Sequence, residues 1–311
     1  MSTGWVAAGV RARAMSRRRL GRAAARTLAR RGSLELALDE LVSTPYQHDV
    51  HAGMDLAAAQ HGVAATVLWH MRVLAGWVPR GNAQILRLLA GGFEAANVDE
   101  RLKAIMGAPA GPDFRLGSLA TAWHALASAT TVPDVRRGLG RSAWGDPGAD
   151  TAAAVRLSMR LTWALRVQLG VPDAGAWAGG AAALMVARES VIAGRPLSPS
   201  LVRVATPLLG TRWSGRSGLR EFADAVPAQA SWVLAGIEDA ADLWRAEAHW
   251  WTRVEHEGYQ LLHRPISGPA PVIGSVAILA ADAWRVRGAL EVAARGGSAD
   301  APALEAFDAV A

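Results

Sequence analysis

The sequence predicts an all-α fold of three tandem helical units. Three observations carry that expectation: apolar residues recur at helical spacing, alternation suited to strands is scarce, and one tryptophan motif returns at near-equal intervals. Alanine, leucine and arginine dominate, and all three favour helix. Gly/Pro clusters at 107–117, 145–148, 171–175, 194–199, 206–218 and 264–271 break the chain into segments that suit roughly a dozen helices.

From the N-terminus, Arg11, Arg18, Arg22, Arg26 and Arg30 recur at intervals of seven, four, four and four. That spacing places them on one face of a first helix. A short helix over 33–46 ends in an aromatic turn at Tyr46. Val63, Val67, Met71, Leu74 and Val78 then form the stripe of a longer helix. Residues 131–144 repeat the short helix with Trp144 at its end, and Thr131 before Asp134 reads as its N-cap. A degenerate third version is expected over 218–226.

The repeat is clearest at WHMRVLAG from Trp69, WALRVQLG from Trp163 and WWTRVEHEG from Trp250, copies 94 and 87 residues apart. Each motif sets Trp and Arg at i and i+3, neighbours on one helix face: Arg72, Arg166 and Arg253. After a break, each copy is followed by an apolar helix bearing an acid, Glu94, Glu189 or Asp282. Equivalent placement suggests equivalent structural roles, with salt bridges to the three motif arginines expected. The units expected are residues 1–117, 118–210 and 211–311, with Trp69, Trp163 and Trp250 in matching environments.

Composition excludes several function classes. The chain has no cysteine, so disulfides, thiolate nucleophiles and Cys-based metal sites are absent. His249, His256 and His263 lie two turns apart, ~10.5 Å, too far to share an ion. His48, Asp49, His51 and His61 match no ligand spacing. No phosphate loop or nucleophile elbow occurs, and Lys103, the only lysine, lies in no Gly-rich loop. A non-enzyme with no cofactor and no metal is expected. The longest uncharged apolar stretch, 174–187, is short of a membrane span. The N-terminal arginines follow the short apolar segment instead of preceding one, unlike a signal peptide, so a cytoplasmic location is expected. A net charge of +6 suits an acidic protein, an anionic surface or nucleic acid, and the arginine face is the candidate contact. That face lacks the interleaved aromatics of single-strand binders, which makes nucleic acid the weaker choice.

Three segments resemble the C (or d) subunit family of V/A-type rotary ATPases. Gly9-Val10-Arg11-Ala12-Arg13-Ala14, followed in order by Thr44-Pro45-Tyr46, is similar to that family's opening. Phe93-Glu94-Ala95-Ala96-Asn97-Val98 resembles its acidic helix, and 271–296, with Asp282 and Trp284-Arg285-Val286-Arg287, its last helix. The resemblance implies a funnel of three pseudo-threefold helical units on the cytoplasmic face of the membrane. It implies a non-catalytic part that links the central stalk to the rotor ring in support of ion transport, with membrane association only through those partners. The alternative expectation is a helical binder of nucleic acid or anionic surfaces.

Overall fold

In the computed structural model, which describes residues 3–297, every regular element is helical. In chain order they are α1 (Thr3–Ser16), α2 (Arg22–Ala29), α3 (Leu34–Leu41), α4 (Leu56–Ala75), α5 (Gln84–Leu89), α6 (Gly91–Ile105), α7 (Trp123–Leu126), α8 (Val132–Gly140), α9 (Ala152–Gly170), α10 (Gly175–Val186), α11 (Pro199–Leu209), α12 (Leu219–Ala225), α13 (Ala228–Ser231), α14 (Leu243–His263) and α15 (Ala270–Ala294). Short 3-10 turns join several of them, and a π-helical turn, Ala187–Ile192, extends α10. Local chemistry sets many of the starts. Side-chain oxygens of Ser33, Asp55, Thr131, Thr151 and Ser198 each accept from an amide of the first turn, as expected of Thr131.

The chain divides into two compact units. One holds residues up to Leu86 together with those from Trp251 onward; the other runs from Arg87 to Trp250. The expected boundaries, 1–117, 118–210 and 211–311, mark periods of a repeat, whereas this division follows packing.

In the first unit α15 is the central element, packed against α1, α2, α3 and α4. Val272, Ile273, Ile278, Ala281, Val286, Ala289 and Leu290 are among its many buried residues. A helix apolar on nearly every side needs neighbours on every side. Gly258 of α14 and Gly274 of α15 meet where the backbones touch; a Cβ on Gly274 would strike the Gly258 carbonyl oxygen. In the second unit α9 is central, packed against α6, α10 and α11, while α13 lies on α10.

The arginine run does not form one helix face. α1 stops at Ser16, and α2 starts at Arg22 after Gly21, whose φ of +85° suits glycine. The helix breaks there because the amides of Leu20 and Gly21 are bound to the Asp282 carboxylate instead of to carbonyls one turn back. Arg11 lies on α1, Arg18 in the link, Arg22 and Arg26 on α2, and Arg30 at the C-cap of α2.

Candidate functional site

Two buried carboxylates organise the two units, and their surroundings are chemically alike. In the second unit, α6 carries Glu94 and Asn97 at i and i+3, both fully buried. Glu94 accepts from the Thr121 amide (2.6 Å), the Ala122 amide (2.6 Å) and Trp144 Nε1 (3.0 Å). One turn along, Asn97 accepts from the Phe114 amide and donates to the Phe114 carbonyl, at 2.7 and 2.9 Å. Together they pin the link between α6 and α7 to α6. Arg166 of α9 lies over the Trp144 ring, 4.8 Å from its centroid, with Nη2 3.4 Å from Thr121 Oγ1. Burial lowers the Arg166 pKa and the charge of Glu94 pulls it back up.

In the first unit, Asp282 of α15 accepts from the Leu20 amide, the Gly21 amide and the Tyr46 hydroxyl, each at 2.8 Å. Burial raises its pKa; the two amide bonds and the Tyr46 bond oppose that rise. Tyr46 is itself pushed well above the ordinary phenol value, by burial first and then by the charge of Asp282. Both carboxylates therefore do the same thing: each takes two successive amides of a link and the polar tip of an aromatic that ends a short-helix segment. One turn from Asp282, Arg285 donates to both oxygens of Glu255 on α14, at 2.7 and 2.5 Å. Arg22 reaches the same carboxylate at 2.6 Å. Burial drives the Glu255 pKa upward, but the bonds from Arg285 and Arg22 outweigh it and leave it lowered.

Glu189 does not belong to this set. It sits half-buried in the π-helical turn and pairs with Arg195 at 2.6 and 2.7 Å, which holds its pKa down. The tryptophans give the true register. Trp163 Nε1 donates to the Leu88 carbonyl (2.7 Å), and its indole lies against Gly91 beside Trp144. Trp250 Nε1 donates to the Trp177 carbonyl (2.8 Å), and its indole lies against Gly180 beside Trp232. Leu88, Gly91 and Glu94 thus correspond to Trp177, Gly180 and Ala183, and Ala183 is fully buried. With alanine there, Trp232 Nε1 turns to the carbonyls of Gln229 and Ala176, at 3.1 and 3.3 Å.

Trp69 departs from the expected equivalence. It packs on His48, ring centroids 4.3 Å apart, and edge-on to His70. The residue three before Asp282 is the buried Leu279, where the other two copies have glycine, so no slot for an indole opens there. The expected salt bridges of the three acids to Arg72, Arg166 and Arg253 are likewise replaced. Arg72 is exposed, Arg166 covers Trp144, and Arg253 pairs with Glu257 four residues along α14.

Of the five N-terminal arginines, Arg11, Arg18 and Arg30 are exposed, with Arg11 lying over Trp77, while Arg26 is half-buried. Arg22 is held by Glu255. Among the described residues, no group of three or more His, Asp or Glu is arranged to hold a metal ion, and no helix is long and apolar enough to cross a membrane.

No family model matches the chain, and no curated protein does. What its residues do therefore rests on the geometry above. Glu94 and Asp282 each meet three donors at hydrogen-bonding distance inside the protein, an arrangement that fixes backbone links. The sequence pointed to both acids and to the aromatic turns. It did not join Asp282 to Tyr46, because the partners lie 236 residues apart.

Proposed function

We propose that this chain is a non-catalytic coupling subunit of a V/A-type rotary ATPase, a three-unit helical funnel that links the central stalk to the membrane rotor ring on its cytoplasmic face and supports ion transport. The observation that carries the reading is the repeated carboxylate latch. It falls on the two acidic segments that resemble the family, and in the first unit its halves come from opposite ends of the sequence, as a repeat wrapped on itself requires. A second support is that neither latch acid is left without donors: a carboxylate committed to three of them suits holding backbone links better than acid–base chemistry. Transmission of torque needs stiff links between helices, and latches of this kind supply them.

The test is recovery of the tagged full chain from the native membrane fraction. Co-purification with rotary ATPase stalk and ring subunits is expected, with no nucleotide hydrolysis by the isolated chain. Recovery without any rotary ATPase subunit, or turnover abolished by Glu94→Gln, would overturn the proposal. A nucleic-acid binder using the N-terminal arginines is disfavoured, since these residues are divided between two helices and Arg22 is engaged by Glu255. That reading requires duplex binding whose log–log salt slope falls by about 0.9 for each phosphate contact removed.

A further inference from the structure

The C-terminal ends of α1 and α14 border a cleft of about 460 Å³ in the first unit. Arg13, Arg17 and Arg19 line it together with Tyr259, Leu262 and His263, and none of the lining residues is acidic. Two of the guanidiniums are already fixed. Arg13 donates through Nε to the Leu262 carbonyl (3.1 Å) and through Nη2 to the Arg264 carbonyl (2.9 Å). Arg19 donates through Nη1 to the Ser16 carbonyl (3.1 Å) and lies over the Tyr259 ring, 5.3 Å from its centroid.

Helix C-termini attract cations, which accounts for Arg13 and Arg19. Arg17, the residue after α1, feels the same attraction, yet it is exposed, bonds no carbonyl among the described residues and lines the same cleft. The acceptors of Arg13 and Arg19 are neutral carbonyls, so those bonds leave both charges in place, and with Arg17 three like charges repel around one cleft. An anion relieves that repulsion, and guanidiniums held in place beforehand lose little side-chain entropy on binding it. The planar forks of arginine match phosphate oxygens, and the free edges of Arg13 and Arg19 leave donors for them. The volume falls within the range of small-ligand sites, roughly 300–1,000 Å³, and exceeds what one simple anion fills.

We propose that this cleft binds a ligand carrying two or more phosphate groups, either a soluble polyphosphorylated molecule or a phosphorylated lipid headgroup. The inference is independent of the rotary ATPase reading and uses different arginines from Arg11, Arg18, Arg22, Arg26 and Arg30. Calorimetric titration of the full chain with tripolyphosphate is expected to give saturable binding at one site. Arg17→Ala should weaken it about tenfold, the loss of one charge-assisted contact of about 1.4 kcal/mol, and Arg17→Ala with Arg19→Ala should abolish it. Arg30→Ala, an exposed arginine of the same unit outside the cleft, should leave it unchanged. Arg17→Ala should also keep the wild-type unfolding curve, which separates lost binding from lost fold. Flotation with phosphatidylcholine vesicles containing phosphatidylinositol bisphosphate distinguishes the sources. Vesicle binding displaced by tripolyphosphate marks a lipid headgroup, and tripolyphosphate binding without vesicle binding marks a soluble ligand. Absence of saturable tripolyphosphate binding, or equal weakening by Arg30→Ala and Arg17→Ala, overturns the proposal.

Discussion

Replacing Glu94 with alanine tests whether the latch holds the second unit together. The change removes the acceptor for three donors at once: the amides of Thr121 and Ala122 and the indole N–H of Trp144. Thr121 and Ala122 are half-buried, so water can partly satisfy their amides, at about 1 kcal/mol each. Trp144 is buried, and its orphaned N–H costs about 2 kcal/mol or more. Relief from burying a carboxylate offsets part of the total, and the loss of a counter-charge near half-buried Arg166 adds to it. A net loss of about 3–4 kcal/mol follows, a large share of the 5–15 kcal/mol typical of a folded domain. Equilibrium urea unfolding followed by tryptophan fluorescence measures it. Trp144→Phe alone should cost less, since Glu94 keeps both amides, and adding it to Glu94→Ala should cost less than the sum of the two singles. Destabilisation by Glu94→Ala of under about 1 kcal/mol would refute the latch, because that is the cost of losing a single ordinary hydrogen bond.

Three further outcomes are expected. Ala183→Glu places a charge at a fully buried position of the matching register, where the Trp232 N–H is already committed, and should cost more than about 3 kcal/mol or prevent soluble expression; unchanged urea unfolding would show that the Trp232 N–H is free to leave its carbonyls for a carboxylate, as Trp144 does for Glu94. Asp282 has a raised folded pKa, so it binds its proton more tightly folded than unfolded. Its titration therefore adds stability below the unfolded pKa, and that increment is lost as pH rises through the folded pKa. The stability gap between wild type and Asp282→Asn, from urea midpoints across the acid-to-neutral range, should be widest in acid and narrow with rising pH; a gap that widens contradicts the assignment. Glu255→Ala leaves Arg285 buried without its carboxylate and should cost about 3–5 kcal/mol, whereas replacing both by apolar residues of similar size should restore most of the loss; a double variant no more stable than the single one would refute that account.

The helical architecture was legible because it is written locally. The stripe from Val63 to Val78 runs along α4 and past its end, and Thr131 caps α8. The acids were legible as a set but not in their pairings. Asp282 was placed beside Trp250 by sequence order, yet its partners are Leu20, Gly21 and Tyr46. Arginine spacing failed at Gly21 because a tertiary contact to Asp282 overrides helical continuity between Ser16 and Arg22; the glycine is its one local sign, and the partner lies far along the chain. The cleft at Arg13, Arg17 and Arg19 was hidden for a similar reason: its other wall comes from Tyr259, Leu262 and His263.

Glu189 shows why a repeated residue type is weaker information than repeated surroundings. Counting acids along the chain aligned it with Glu94, at an interval of 95 residues. The interval from Leu88 to Trp177 and from Gly91 to Gly180 is 89, fixed by where two indoles find a carbonyl to bond and a glycine to lie against. Those constraints are steric: a Cβ at Gly91 or Gly180 would collide with a tryptophan, so both positions need a residue without one. The acid is the more expendable part. Where Ala183 stands instead, the Trp232 N–H bonds the carbonyls of Gln229 in its own segment and of Ala176 on α10, and the indole packing persists without a buried charge. The same indole packing thus recurs around Ala183 without a latch, and Glu189, about two turns further on, pairs with Arg195.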